Sequence, residues 1–153
     1  MSRLRRLTVT YLDVVCKEFL TQPFLNLTHL HLLPDHSRSI HPEQWRFLTR
    51  LPKLTHVNVG TVGQAGEIWR LLQLLPLLKI LILTPCYGCC LAADLDALVH
   101  ADDTRLVCVK EGNYDDLVVD WEIGASGGMD TWIFAELVVI ARASEYFLCF
   151  SCT

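Results

Sequence analysis

Two pairs of cysteines have the spacing of a metal-binding or redox motif. Cys86 and Cys89 enclose two residues, and Cys149 and Cys152 enclose two residues near the end of the chain. Four thiolates bind zinc, and a thiol at the start of a helix, as expected for Cys89, loses its proton more easily than usual. The spacing between the two pairs does not form a compact zinc module, however. We therefore predict no metal at these cysteines, with a thiol-dependent or zinc-binding module as the alternative.

Histidines are the second group whose spacing has a chemical meaning. His29 and His56 each follow a Leu-Thr pair, and His31 lies two residues beyond the first of them. Neighbouring β-strands lie about 4.8 Å apart, so equivalent imidazoles on two strands can share a metal ion. A third ligand is not obvious in the sequence. We expect these histidines to be polar contact residues on an open face.

The motifs of the common enzyme classes are missing from the sequence. It contains no nucleophile elbow, P-loop, zinc-protease helix motif or dinucleotide-binding glycine fingerprint. The acidic residues Asp115, Asp116, Asp120 and Glu122 lack the spacing of an EF-hand loop, and a solvated acidic loop explains them. We expect a protein that is not an enzyme and that uses no cofactor.

A leucine-based repeat would position these side chains. The pattern Leu-x-x-[Leu/Val]-x-[Leu/Val] begins at Leu4, Leu27, Leu54 and Leu78, and a weaker copy begins near Thr104. Intervals of about 20 to 29 residues with this pattern are typical of leucine-rich repeats. The alternation of apolar residues predicts one short strand in each copy, with a single buried face.

Segments with the spacing of amphipathic helices follow these strands. They are Leu12–Gln22, the residues after Pro42, Gln64–Leu75 and Cys89–His100. Strands that run in one direction and are joined by helices form a parallel sheet. We predict an α/β fold, namely an irregular leucine-rich-repeat solenoid of about five short parallel strands, each followed by a helix or a loop.

Repeat positions three and five point away from this core and would form an outer face of the sheet. Repeat surfaces of this kind commonly bind proteins, and an exposed apolar strip with a polar rim marks a binding site. The predicted protein-binding residues are Arg6, Thr8, His29, His31, His56, Asn58, Ile80 and Ile82, and Leu106 extends the apolar strip. The alternative is that the last helix, a loop or a further segment covers this face.

The residues after the fifth strand have a different composition. Glu111–Gly128 is acidic and contains glycine, so we expect a loop there. An amphipathic helix at about 129–144 follows and would cap the open end of the repeats, and Asp130 suits its start.

These boundaries predict one repeat domain at 1–144 and an apolar tail at 145–153. The chain begins inside a repeat at Leu4, and a first strand without a capping element leaves an exposed edge. We therefore expect a fragment, or a start that a partner or a further domain covers.

Three repeat copies and one later segment carry a family resemblance. They are Phe24–Leu32, Leu51–Val59, Leu75–Leu83 and Asp120–Trp132. Together they resemble the leucine-rich-repeat region of F-box-like proteins from mushroom-forming fungi. The resemblance implies a ubiquitin-ligase adaptor whose repeats recognise an unknown target protein, with the ligase scaffold bound only if an F-box lies upstream. The alternative is a truncated gene product without independent function.

Composition and charge narrow the choice of partners. Hydrophobic residues make up 52% of the chain and the mean hydropathy is +0.32, which favours a folded domain. A net charge of −4 argues against nucleic acid as the partner. The most apolar stretch, Leu71–Leu83, is too short and too interrupted to cross a membrane. Seven cysteines without an export signal indicate the cytoplasm or the nucleus.

Overall fold

Five short parallel strands form the centre of the molecule. The computed structural model describes residues 4–9, 24–33, 45–59, 65–84, 103–109 and 114–150 of the chain. The strands are β1 (Arg6–Val9), β2 (His29–Leu32), β3 (His56–Val59), β4 (Ile80–Leu83) and β5 (Leu106–Cys108), and they pair in that order. All four pairings are parallel. The predicted α/β class with about five parallel strands is confirmed.

Three α-helices accompany the sheet in the described part of the chain. They are α1 (Ala65–Leu74), α2 (Tyr114–Ala125) and α3 (Thr131–Phe150). Two 3-10 helices, Phe24–Asn26 and Arg46–Arg50, precede β2 and β3. The first agrees with no predicted helix, and the second lies in the helix predicted after Pro42. The helices predicted at Leu12–Gln22 and Cys89–His100 lie outside the described residues.

The register places equivalent repeat positions side by side in the first four strands. Leu30 pairs with Val57, and Val57 pairs with Leu81, so these core positions form one continuous row. His29 pairs with His56 in the same way, one position earlier in each strand. A side chain and its repeat equivalent therefore point to the same face of the sheet.

The fifth strand is displaced by one residue from its predicted register. Leu106 pairs with Leu81, whereas the repeat pattern places it beside Ile80. A shift of one residue moves every side chain of a strand to the opposite face. Leu106 consequently lies in the leucine core, and the prediction that it extends the outer apolar strip is wrong.

One face of the sheet packs against a core made mainly of leucines. The first leucine of three repeat copies, Leu27, Leu54 and Leu78, is buried beneath the strand that it precedes. Helix α1 agrees with the predicted helix at Gln64–Leu75 and adds Ile68 and two leucines to the same cluster. Burying one side chain of this size stabilises the fold by about 1.5 to 3 kcal/mol, so this face supplies most of the stability.

The opposite face is covered by α3. Ile80 and Ile82 of β4 pack with Val107 of β5 against Trp132 and Ala135 of the helix. Arg142 further along α3 donates a 2.6 Å hydrogen bond to the carbonyl oxygen of Leu106. The helix therefore lies across the sheet face, whereas the sequence pattern predicted it at the end of the repeats. It begins close to the predicted position and runs to Phe150, into the predicted tail.

Helix α2 replaces the loop predicted over Glu111–Gly128. A glycine turn closed by two backbone hydrogen bonds ends α2. The amide of Gly128 donates to the carbonyl of Ile123 at 2.8 Å, and the amide of Gly127 donates to the carbonyl of Gly124 at 3.2 Å. Gly127 has a φ of 81°, which glycine adopts without strain. Acidic residues and glycines together are typical of loops. Here the glycines lie where α2 ends and where the chain turns toward α3, so the composition suggested a loop for the whole segment.

Asp130 begins α3, as the sequence predicted. Its Oδ1 accepts a 2.9 Å hydrogen bond from the amide of Ile133, which satisfies one of the free donors at the helix N-terminus. Its Oδ2 accepts a 2.6 Å hydrogen bond from Nη1 of Arg6 on β1. This side chain thus fixes the start of α3 against the first strand. No helix in the described part of the chain combines the length and apolar character that a membrane span requires.

Candidate functional site

His29 and His56 lie face to face between the sheet and α3. Their ring centroids are 4.2 Å apart and their planes differ by 7°. Trp132 of α3 presents its indole edgewise to both rings, at centroid distances of 5.1 Å and 6.2 Å. The prediction that these two histidines are neighbours is confirmed, and it follows from their equal positions in paired strands.

A threonine before each histidine holds the Nδ1 side of the ring. Oγ1 of Thr28 lies 2.8 Å from Nδ1 of His29, and Oγ1 of Thr55 lies 2.8 Å from Nδ1 of His56. The same hydroxyls also reach backbone carbonyls, of Arg5 at 3.0 Å and of Thr28 at 3.4 Å. A hydroxyl both donates and accepts, so each threonine can accept the Nδ1 proton while its own hydrogen points at the carbonyl. In that arrangement Nε2 of each ring carries a free lone pair.

Glu136 of α3 completes a group of three potential ligands. Its Oε1 lies 3.2 Å from Nε2 of His56, and its side chain is 46% exposed. One ligand atom each from His29, His56 and Glu136 lies within 4.8 Å of the others. The sequence pattern did not single out Glu136, although its position four residues after Trp132 places both on the same side of a helix.

Burial keeps both imidazoles neutral near pH 7. It lowers the pKa of His29 to about 3, and the neighbouring His56 and Arg6 lower it as well, while Asp130 opposes them. Burial also lowers the pKa of His56, against the opposing effect of Glu136. A neutral imidazole is the form that binds metal ions. The cluster can therefore accept a cation without first losing protons from its histidines.

A cavity of about 250 Å³ lies beside this cluster. Arg6, His31, Asp120 and Asp130 supply much of its polar lining. Asp120 accepts hydrogen bonds of 2.7 Å from both the amide and the hydroxyl of Thr131, and Asp130 binds Arg6 and the start of α3. The two carboxylates are thus used for holding α2, α3 and β1 together, and we interpret this cavity as structural.

The predicted protein-binding residues fall into two groups. Arg6 and Thr8 are exposed and His29 is partly buried, whereas the other five are buried: His31, His56, Asn58, Ile80 and Ile82. The prediction that these five form an open surface is wrong, because all five are buried. Trp132 and Ala135 of α3 pack on Ile80 and Ile82, and Trp132 also lies edgewise to His56. The Asn58 amide oxygen accepts a hydrogen bond from Thr84. Of the predicted cysteine ligands, Cys86, Cys89, Cys152 and the side chain of Cys149 lie outside the described residues.

Exposed apolar side chains are concentrated on the two C-terminal helices and their connection. Ten large hydrophobic residues are exposed among those described, and eight of them belong to this region. They are Val118, Val119, Trp121, Ile123, Met129, Phe134, Leu137 and Ile140. On α3, Phe134, Leu137 and Ile140 recur at every third position, so they lie along the side opposite to Trp132 and Ala135. Among the described residues, the exposed apolar surface is therefore mainly on these helices and not on the outer face of the sheet.

Comparison of the chain with family models, curated proteins and solved structures gave no match.

Proposed function

We propose that the chain is a non-catalytic protein-interaction domain of the leucine-rich-repeat solenoid type. Strand pairing in chain order, with equivalent repeat positions side by side, supports the solenoid. The observation that carries the interaction function is the set of eight exposed apolar side chains on α2, α3 and their connection. Clusters of exposed apolar side chains on one part of a soluble domain mark binding surfaces.

The contact surface in this proposal is the side of α3 that faces away from the sheet. We name it the helical surface and define it by Phe134, Leu137 and Ile140, each 46% to 60% exposed. Burying the remaining exposed part of a leucine or isoleucine would add about 1 kcal/mol for each.

Charge selects the kind of partner. Asp116 and Glu122 are exposed on α2, and residues 80–153 contain 12 acidic side chains against 3 basic ones. The acidic excess of this half of the chain favours a partner of opposite charge and raises the rate at which the two associate. The partner is therefore a protein segment that presents apolar side chains flanked by lysine or arginine. By the sequence resemblance, it is the target of an F-box-type ubiquitin-ligase adaptor.

Selection from a random peptide library tests this surface and needs no identified partner. Peptides enriched on the wild-type chain should contain apolar residues next to Lys or Arg. Their affinity, measured by fluorescence anisotropy, should fall about fivefold or more for Leu137→Gln, since this removes about 1 kcal/mol or more of apolar contact.

Leu77→Gln is the matched control, because Leu77 is 62% exposed but lies in the turn before β4. The proposal is wrong if no peptide is enriched, or if both glutamine variants weaken binding equally. The ubiquitin-ligase part has its own test: a longer chain with an F-box ahead of Leu4 should bind the cullin-linked adaptor subunit.

A further inference from the structure

We propose that His29, His56 and Glu136 bind one divalent transition-metal ion of the zinc class, with a fourth position left to solvent. This site is separate from the helical surface and does not depend on the proposed interaction function. Its ligands come from β2, β3 and α3, so the bound ion would connect the sheet to the helix that covers it.

The contact between His56 and Glu136 needs no metal ion in one tautomer of the ring and accommodates one in the other. When Thr55 donates to Nδ1 of His56, the ring carries its hydrogen on Nε2 and donates it to Oε1 of Glu136 over 3.2 Å. When Thr55 instead donates to the carbonyl of Thr28, Nε2 has a lone pair that faces a carboxylate oxygen. Two acceptors at this distance repel each other unless a cation lies between them. A metal ion would select this second arrangement, and the shift between tautomers needs no net loss of a proton.

An equivalent arrangement at His29 supports a metal ion. Thr28 donates to the carbonyl of Arg5 at 3.0 Å and lies 2.8 Å from Nδ1 of His29, so it can accept the Nδ1 proton. The Nε2 of His29 is then available as a second nitrogen ligand. Metal-binding histidines are commonly held in this way, with the second ring nitrogen donating to a neighbouring acceptor that fixes the tautomer.

The distances between the three ligand atoms also suit an ion. Ligand atoms of one tetrahedral zinc ion lie about 3.3 Å apart, whereas the three atoms here lie within 4.8 Å of one another. Contraction by up to about 1.5 Å would be needed, together with a tilt of the two nearly parallel rings toward a common point. Glu136 can make most of this movement because its side chain is long and 46% exposed.

The donor set and its surroundings determine which ion is bound and how tightly. Two imidazole nitrogens with one carboxylate suit zinc and its neighbours, whereas calcium and magnesium prefer oxygen ligands alone. Arg6 and Lys79 are close enough to act on the two imidazoles electrostatically, and their positive charge opposes a cation. With three protein ligands and this opposing charge, we expect a dissociation constant of about 1 to 10 µM.

Titration with Co²⁺, followed by displacement with Zn²⁺, tests the site in the full chain after treatment with a chelator. Wild-type protein should bind one ion and show the visible absorption of cobalt with nitrogen and oxygen ligands. The near-ultraviolet charge-transfer band of a cobalt–thiolate bond should be absent, which separates this site from the cysteine pairs.

Glu136→Gln is the decisive variant, because the side chain is partly exposed and the substitution preserves its shape. We expect its affinity for Zn²⁺ to fall tenfold or more, and His29→Ala to lower affinity similarly. Glu122→Gln is the matched control on α2 and should leave affinity unchanged. Urea unfolding of each variant establishes that it is folded.

The proposal is overturned if the folded wild-type chain binds no Zn²⁺ at 100 µM, or if Glu136→Gln binds it as tightly as wild type. A thiolate band with full stoichiometry would also overturn it, because the cysteines would then be the ligands. Leu137→Gln should bind the ion normally, so failure at the helical surface and failure at this site are distinguishable.

Discussion

At the scale of single residues, the Thr-His pairs show how much a repeat can specify. Each threonine bonds to its neighbouring histidine, and the register of β2 with β3 brings the two rings together. Both features follow from equal positions in two repeat copies, so the pairing of His29 with His56 was predictable from sequence. Glu136 was not, because its distance from His56 depends on how α3 packs across the sheet, and no local pattern encodes that packing.

The buried histidines predict a loss of stability in weak acid. Burial lowers the pKa of His31 to about 4 and that of His29 to about 3, while the unfolded chain binds these protons near 6.5. The unfolded state therefore takes up protons first as the pH falls, so the free energy of unfolding is highest above 6.5 and decreases below it. Each histidine contributes a slope of at most about 1.4 kcal/mol per pH unit.

Urea unfolding at about pH 7.5, 6.0 and 5.0 in the presence of a chelator measures this slope. His31→Gln should reduce it, because one of the titrating groups is removed. A free energy of unfolding that stays constant or rises between pH 7.5 and 5.0 would contradict the prediction.

At the scale of elements, the strands were easier to predict than the final helices. Leucine or valine at every second position marked each of the first four strands, because the leucine core requires an apolar side chain at those positions. Helix α2 was missed because its acidic residues and Gly124 resemble a loop in composition. The structure gives Gly124 a packing reason: a Cβ at this position would collide with Oδ2 of Asp130. A helix that approaches the next element so closely needs glycine inside it.

Three glycine-to-alanine substitutions separate the effect of close packing at Gly124 from the effect of backbone conformation at Gly127. Gly124→Ala should destabilise by about 2 kcal/mol or more, because the new methyl group displaces the Asp130 carboxylate from its partners. Gly127→Ala should cost about 1 kcal/mol, because its φ of 81° is unfavourable for alanine.

Gly66→Ala is the control, since a Cβ there meets nothing within 4 Å and alanine favours the helical backbone of α1. It should stabilise by about 0.5 to 1 kcal/mol. Chemical unfolding at pH 7 measures all three, and a Gly124→Ala chain as stable as wild type would refute the proposed close contact.

At the scale of the whole molecule, the sheet has a buried face on each side. The leucine core on one side was predicted from the repeat, whereas the smaller cluster beneath α3 was not. The isoleucines of β4 indicated an apolar outer strip correctly, but the sequence left open whether a partner or the chain itself covers it. The amphipathic character of α3 was visible, yet its docking position is decided by contacts between distant segments.

A substitution at Ile82 tests whether the outer face of the sheet is buried beneath α3 or is a solvated binding surface. It is 0% exposed, so Ile82→Ala should destabilise by about 2 to 5 kcal/mol through the cavity it leaves. On a solvated binding surface the same change would cost less than about 0.5 kcal/mol. Chemical unfolding of this variant beside Leu77→Ala, at an exposed leucine, decides between them.

The ion pair between Arg6 and Asp130 has a consequence for the order of folding. It joins residues 124 positions apart, while the backbone hydrogen bonds between successive strands span 23 to 28 positions. Short-range strand pairing closes small loops and can precede α3, so this contact is expected to form after the transition state. Asp130→Asn should then accelerate unfolding several-fold and leave the folding rate nearly unchanged, which the two arms of a chevron plot would show. The lifetime of the folded chain, more than its speed of assembly, would depend on this one pair.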